Sequence, residues 1–185
     1  MYNFKKAIAL IHSDYIREAV KQVLAATPKQ FFTAPSSSSG KHHPQDEISE
    51  GGLMLHTLRV VKMADHIAGL PWNWAELKKR NHLGYDVLIA SAILHDCCKS
   101  GREWGDHTGK EHPMLAAQLV VEVCGKNRTT KGIANTIAAH MGYANKDRVW
   151  DENPTPIITL CQRLLHEADY LASRVDISVN VDSLL

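Results

Sequence analysis

The sequence predicts an all-α protein, and three observations lead to this prediction. Several stretches repeat apolar residues with the helical period of 3.6, no stretch alternates apolar and polar residues convincingly, and glycine or proline ends most of the helical stretches. The length of 185 residues suits one domain with one core. We therefore expect a single domain over residues 1–185, with an N-terminal helix and loop (1–50), a helical core (51–175) and a C-terminal tail (176–185).

The bulk composition narrows the classes of function. A formal net charge of +1 indicates no strong attraction to nucleic acid or membranes, although a local basic patch could still bind nucleic acid. No apolar run approaches the ~20 residues that cross a bilayer. His12 and Asp14 interrupt the apolar residues near the N-terminus, so this segment is a poor signal peptide. The four cysteines form no CxxC motif, so we expect a reducing, cytoplasmic location. The 11 histidines raise the expectation of a metal site.

Proline positions and the distribution of apolar residues indicate where several of the predicted helices begin, end or are buried. Pro28 ends the first helix, and Pro113 suits the first position of another. The stretch 85–98 is apolar nearly all round, which predicts a central buried helix. Pro71, Trp72 and Trp74 are interpreted as a connection between helices. The predicted helices cover approximately residues 4–26, 53–68, 85–98, 113–123, 130–141 and 156–173.

A long connection, FFTAPSSSSGKHHPQDEISEGG, joins the first two helices. Loops of this length in a compact domain are usually lids, binding loops or linkers. A Ser/Gly-rich segment can turn backbone N–H groups towards a phosphate, so Ser39, Gly40 and Lys41 are candidate substrate-binding residues and His43 is a candidate general acid. A solvated surface loop is the alternative.

Six histidines and aspartates fall on inward positions of the predicted helices or beside their ends. Each alone could be a hydrogen-bonded core residue. A buried imidazole or carboxylate is costly unless it is paired or bound to a metal, and one shared metal centre would account for all of them. Imidazole with carboxylate suits Mn, Fe, Co, Ni or Zn without choosing among them, and Mg is a further option. The predicted ligands are His56, His95, Asp96, His112, His140 and Asp169.

These residues give the sequence a resemblance to the HD-domain metal-dependent phosphohydrolase superfamily. The resemblance rests on LMLHTLRVV around His56, ILHDCCK around His95 and Asp96, and LLHEADYLASR around Asp169, and it covers approximately residues 50–175. EHPMLAAQL and IAAHMGY are similar to the segments that add two histidines in the binuclear branch. The chain is also similar to the HD domain of bacterial 3′–5′ exoribonucleases and to small uncharacterised HD proteins with an SSGKxHP segment, which SSSGKHHP matches.

The resemblance implies a helical bundle in which the long N-terminal loop lies over the metal site. It implies one metal on His56, His95, Asp96 and Asp169, with Asp96 bridging to a second metal on His112 and His140. Lys99 matches a position where many members have a lysine near the substrate phosphate, and Arg174 is a further candidate for substrate binding. Cys98 stands where many members have glycine, and a single-metal enzyme is an open alternative.

The predicted function is hydrolysis of a phosphomonoester or phosphodiester of a nucleotide or short nucleic acid by a metal-bound hydroxide, with Asp96, Lys99 and His43 as catalytic residues. The expected partner is a small phosphorylated substrate, with neither a membrane nor a stable nucleic-acid duplex, and a homo-oligomer is left open. Two alternatives remain: a mixed-valence di-iron oxygenase of the same fold, and a binding protein that keeps the metal site without turnover. Fold alone does not choose between them.

Overall fold

The computed structural model describes residues 2–37, 43–103, 105, 107–142, 149–150, 153–154 and 159–185. The prediction of an all-α fold is confirmed. The helices are α1 (Lys5–Ala9), α2 (Asp14–Ala26), α3 (Gly52–Ala68), α4 (Pro71–Leu77), α5 (Lys79–Leu94), α6 (His112–Cys124), α7 (Arg128–Ala138) and α8 (Leu160–Ala172). Short 3₁₀ helices occupy Lys29–Phe32, Gln45–Glu47 and Asp182–Leu184, and Val149–Trp150 pairs antiparallel with Asn153–Pro154. None of the described helices combines the length and apolar character that crossing a membrane requires.

Helix α5 is the centre of the bundle, as its apolar sequence predicts. It packs against α2, α3, α7 and α8, and every residue from Tyr85 to Leu94 is buried. The helix ends at Leu94, four residues earlier than predicted, and the chain continues through turns from His95 onwards. This early end places the His95–Asp96 pair at the end of the bundle, where Asp96 reaches α3 and α6 and His95 reaches α8.

The N-terminal segment forms two helices, so the prediction of one continuous helix over 4–26 is wrong. The break lies between α1 and α2, where the Ser13 hydroxyl accepts a hydrogen bond from the backbone N–H of Ile16. Asp86 of α5, which is 1% exposed, accepts hydrogen bonds from the backbone N–H groups of His12 and Ser13 and contacts the His12 ring at 2.9 Å. The carboxylate thus provides acceptors for the chain where the helix is interrupted, and Tyr15 points outward at 50% exposure.

Replacement of Asp86 by alanine should therefore destabilise the fold without altering the six predicted metal ligands. The variant leaves two backbone N–H groups without their acceptor, which we expect to lower the free energy of unfolding by about 2 kcal/mol. Thermal unfolding of this variant and of Asp182→Ala, whose carboxylate is exposed at the C-terminus, provides the comparison. Equal melting temperatures for the two variants would contradict this role.

The connection predicted between the second and third helices is itself helical. Pro71 is the first residue of α4, where proline is favoured because its missing N–H costs nothing. At the start of α5, Arg80, Asn81 and His82 have φ values of 56°, 57° and 63°, in the left-handed region that non-glycine residues rarely adopt. Trp74 packs beside His82 there, whereas Trp72 is 87% exposed.

Two consecutive glycines bring the long loop against the start of α3. Gly51 has a φ of 76°, and a Cβ on Gly52 would lie 1.8 Å from the carbonyl oxygen of Glu47. The backbone of the 3₁₀ helix Gln45–Glu47 therefore approaches α3 at a distance that only glycine allows. This contact holds Glu47 close to His56 of α3.

Candidate metal centre

The structure brings all six predicted ligands together at one end of the bundle. His56 comes from the first half of α3, His95 and Asp96 follow α5, and His112 begins α6. His140 lies in the turn after α7, and Asp169 lies on α8. The four histidines and Asp96 are at most 3% exposed, and the side chain of Asp169 is 21% exposed.

The first half of the cluster contains two histidines and two carboxylates. His56 Nε2 lies 3.1 Å from Asp169 Oδ1 and 3.9 Å from Asp96 Oδ2. His95 Nε2 lies 3.4 Å from Asp96 Oδ2 and 3.7 Å from Asp169 Oδ1. His56, His95 and Asp96 form a group that could hold one metal ion, with Asp169 beside it.

The second half of the cluster uses the other oxygen of Asp96. His112 Nε2 lies 3.2 Å and His140 Nε2 3.8 Å from Asp96 Oδ1, and the two Nε2 atoms are 3.1 Å apart. Asp96, His112 and His140 form a further group that could hold a metal ion. The two oxygens of Asp96 therefore face different sets of donors, which is the arrangement of a bridging carboxylate.

Three backbone carbonyls determine which ring nitrogen faces this cluster. Nδ1 of His95, His112 and His140 lies 2.8–2.9 Å from the carbonyl oxygen three residues earlier in each case. A carbonyl only accepts, so each Nδ1 carries a proton, and in the neutral ring that a metal requires each Nε2 presents a lone pair.

The inward lone pairs are the best evidence that the cluster fits a cation. Those of His112 and His140 face each other at 3.1 Å, and His95 Nε2 is buried without a hydrogen-bond partner among the described residues. Lone pairs this close are unfavourable unless a proton or a metal ion lies between them. The mixture of imidazole and carboxylate donors suits a divalent transition metal.

The electrostatics of the cluster match this arrangement. Burial, with the nearby His112 and His95, lowers the pKa of His140 to about 3, so its imidazole is neutral as a ligand must be. Burial would raise the pKa of Asp96, but Lys99 and His95 outweigh it and hold that pKa well below its usual value. Burial likewise lowers the pKa of His56, but Asp169 and Glu47 raise it to about 9. In the metal-free chain His56 therefore carries a proton that a bound metal would replace.

A cavity of about 270 Å³ opens beside the cluster. Asp96, Asp169, His112 and His140 line it, and so do the predicted residues His43, Lys99 and Arg174. Lys99 Nζ lies 2.5 Å from Asp96 Oδ2, and the Arg174 guanidinium lies 4.5 Å from the centre of the Tyr170 ring. Burial would lower the pKa of Lys99, but Asp96 and Asp169 raise it, so the ammonium stays charged.

The predicted substrate-binding residues Ser39, Gly40 and Lys41 lie outside the described residues.

Glu47 is the residue that the sequence analysis missed. Its wholly buried carboxylate lies 2.8 Å from His43 Nδ1 and 3.3 Å from His56 Nδ1, and it accepts a hydrogen bond from Arg59 at 2.7 Å. Burial would raise the pKa of Glu47, but His43 and His56 lower it to about 2. No periodic pattern marks a loop residue, so the only available signal was an acidic side chain near His43.

The family comparison agrees with the geometry. A family model described as HD domain matches residues 53–174, about two-thirds of the chain. The chain belongs to the HD domain family. The matched range contains all six ligand candidates of this HD domain, whereas His43 and Glu47 precede it. HD domains are in general metal-dependent hydrolases, and the match does not distinguish their branches. No curated protein and no solved structure gives a significant match to the chain.

Metal loading should stabilise this HD domain measurably. A ligand at 100 times its dissociation constant adds about 2.7 kcal/mol to the stability of a protein that it binds only when folded. We expect chelator-stripped protein to melt about 5–10 °C higher with Mn²⁺, Co²⁺ or Zn²⁺. Ca²⁺, which prefers six to eight oxygen ligands, is the control and should raise the melting temperature less. A melting temperature that none of the three transition ions raises above that of the stripped protein would contradict the metal centre.

Proposed function

We propose that this HD domain hydrolyses a phosphomonoester or phosphodiester bond of a nucleotide or short nucleic acid. One observation carries the proposal: Lys99 and Arg174 line the same cavity as the metal-ligand candidates. A charged ammonium and a guanidinium beside a metal centre form a binding site for an anion, and phosphate is the anion that both groups bind well. A redox site for an uncharged substrate has no need of them.

Each residue has a role that follows from its position. Divalent ions bound by the cluster would lower the pKa of a water molecule and offset the charge of the phosphoryl group. Asp96 would supply one carboxylate oxygen to each half of the cluster. Lys99 would leave its contact with Asp96 to bind a non-bridging phosphate oxygen, and Arg174 would bind a second oxygen at the rim. His43, which lines the cavity, would contact the bound substrate.

The described walls of the cavity favour a small substrate. Ligand pockets usually enclose ~300–1,000 Å³, and this cavity, at about 270 Å³, lies just below that range. A mononucleotide, a cyclic nucleotide or the end of a short oligonucleotide would suit it better than the interior of a long polymer. Nothing in its described lining selects a base or a sugar.

Elemental analysis combined with a substrate screen tests the proposal. The purified protein would be assayed with dNTPs, NMPs, cyclic nucleotides and short oligonucleotides in Mn²⁺, Co²⁺ and Mg²⁺. We expect transition metal in the protein, about two ions per chain if both halves of the cluster are filled, and release of phosphate or a nucleotide. Two irons with oxygen consumption and no hydrolysis would overturn the proposal in favour of an oxygenase. Bound metal with neither activity would indicate a binding protein.

Lys99 allows a sharper test. Lys99→Met keeps the aliphatic stem but removes the charge, so we expect kcat/KM to fall about 10²-fold or more while the metal content is retained. Lys79→Met is the matched control, because Lys79 pairs with Glu76 on the surface. Equal kcat/KM values for the two variants would show that Lys99 does not bind the phosphate.

A further inference from the structure

The buried carboxylate of Glu47 joins two histidines with different positions in the site. His56 Nε2 faces Asp169 and Asp96, whereas His43 lines the cavity. Glu47 Oε2 lies 2.8 Å from Nδ1 of His43 and 3.3 Å from Nδ1 of His56. The other oxygen, Oε1, contacts Arg59. Nδ1 of His56 is buried and has no hydrogen-bond partner among the described residues, and the Glu47 carboxylate lies 3.3 Å from it.

A carboxylate that accepts from Nδ1 determines where the other ring nitrogen points. With the Nδ1 proton directed at Glu47, Nε2 on the opposite side of the ring presents a lone pair when the ring is neutral, which for His56 is the form that can bind a metal. For His56 that side is the metal cluster, and for His43 it is the side that can meet a ligand in the cavity. The two rings pack at 77° with their centres 4.9 Å apart, so a rotation of one would displace the other.

We propose that Glu47 is a positioning residue that orients His56 towards the metal and His43 towards the substrate at the same time. The His43 part rests on the proposed function, whereas the His56 part rests only on the metal centre. Carboxylates that hold the outer nitrogen of a metal-bound histidine fix its tautomer and strengthen its binding. Here one such carboxylate couples the metal centre to the loop that precedes the HD match.

The backbone of Glu47 is held independently of its side chain, which makes the proposal testable. Its carbonyl oxygen accepts hydrogen bonds from the backbone N–H of Ser36 at 2.9 Å and from the Ser36 hydroxyl at 3.0 Å. Its own N–H donates to the carbonyl of Pro44 at 2.9 Å. A change of carboxylate to amide should therefore leave the loop in place and alter only the side-chain contacts.

Asp46 provides a matched control next to Glu47. It also binds Arg59, with both oxygens at 2.7–2.9 Å, but its side chain is 58% exposed. None of the described contacts of Asp46 involves His43 or His56. Asp46→Asn therefore removes the same charge and disturbs the same arginine without affecting either ring.

The experiment compares Glu47→Gln with Asp46→Asn. We expect Glu47→Gln to bind Zn²⁺ about 10- to 100-fold more weakly in a chelator competition, and Asp46→Asn to bind it as the wild type does. At saturating metal, Glu47→Gln should still turn over more slowly, because His43 has lost its orientation. Equal Zn²⁺ affinity and equal turnover in the two variants would overturn the proposal.

A second measurement needs no variant, so a misfolded Glu47→Gln would not end the test. Nitrogen-15 spectra of the Zn²⁺-loaded wild type should show His43 and His56 with the proton on Nδ1. A proton on Nε2 of either ring would overturn the proposal. Neither affinity nor tautomer depends on turnover, so a wild type without hydrolase activity would refute the proposed function and the substrate-directed role of His43, and would leave the His56 part of this inference intact.

Discussion

Replacing Asp96 by alanine is expected to abolish hydrolysis, with kcat at least about 10³-fold lower. Asp96 is the ligand candidate whose two oxygens face different halves of the cluster, at 3.4 Å from His95 and 3.2 Å from His112. Its loss removes one donor from each half and leaves the Lys99 ammonium without its nearest counter-charge. Turnover and metal content per chain are the measurements.

The fold should survive this substitution. Asp96 lies beyond the end of α5, so alanine there interrupts no helix, and circular dichroism should report nearly unchanged helical content. Asp14→Asn is the control, because that carboxylate is 94% exposed on α2 and should leave both activity and metal unchanged. An Asp96→Ala protein with full activity would refute the metal centre as the catalytic site.

Gly52→Ala should have the largest effect on stability. An added Cβ would lie 1.8 Å from the carbonyl oxygen and 2.9 Å from the Cα of Glu47, and both are backbone atoms with no rotamer to change. Either α3 or the 3₁₀ helix before it must move. We expect the free energy of unfolding to fall by about 4 kcal/mol and Zn²⁺ affinity to fall as Glu47 withdraws from His56. Thermal melts with chelator competition measure both effects.

Gly132→Ala is the matched control for this glycine. Gly132 lies within α7, and a Cβ there would make ordinary contacts at 3.8 Å with the side chain of Val87. Alanine is favoured over glycine within a helix by about 0.5–1 kcal/mol, so this variant should be as stable as the wild type or more stable. If the two alanine variants melted together, the close approach at Gly52 would not be what holds the loop.

The ligand candidates could be predicted because they lie on or beside helices whose apolar residues reveal the buried side. His56, His140 and Asp169 occupy positions where the period of 3.6 predicts an apolar residue, and a buried polar side chain there calls for a partner. The apolar sequence of α5 likewise predicted that it would be central. Lys99 and Arg174, both predicted to bind the substrate, line the cavity, and their binding of a substrate stays a prediction.

The features that escaped prediction are set by contacts distant in sequence. Nothing within residues 4–26 shows that Asp86 would provide acceptors for His12 and Ser13 and so interrupt the first helix. Glu47 and Asp46 are adjacent acidic residues in a loop, and only the fold buries one and exposes the other. The left-handed turn at Arg80–His82 goes against local preference, so a propensity argument could not find it.

The hydrogen bonds from Nδ1 of His95 and His140 reach Ala92 and Ile137, in the last turns of α5 and α7. Carbonyls in the last turn of a helix lack the N–H partner that a further turn would supply, and the Ile137 carbonyl accepts the backbone N–H of His140 at 3.1 Å as well as the ring. The bonds that prepare two imidazoles to bind a metal thus also stop two helices from fraying. A bound ion would join those helix ends to each other, so amide exchange at the ends of α5 and α7 should slow together when metal is added.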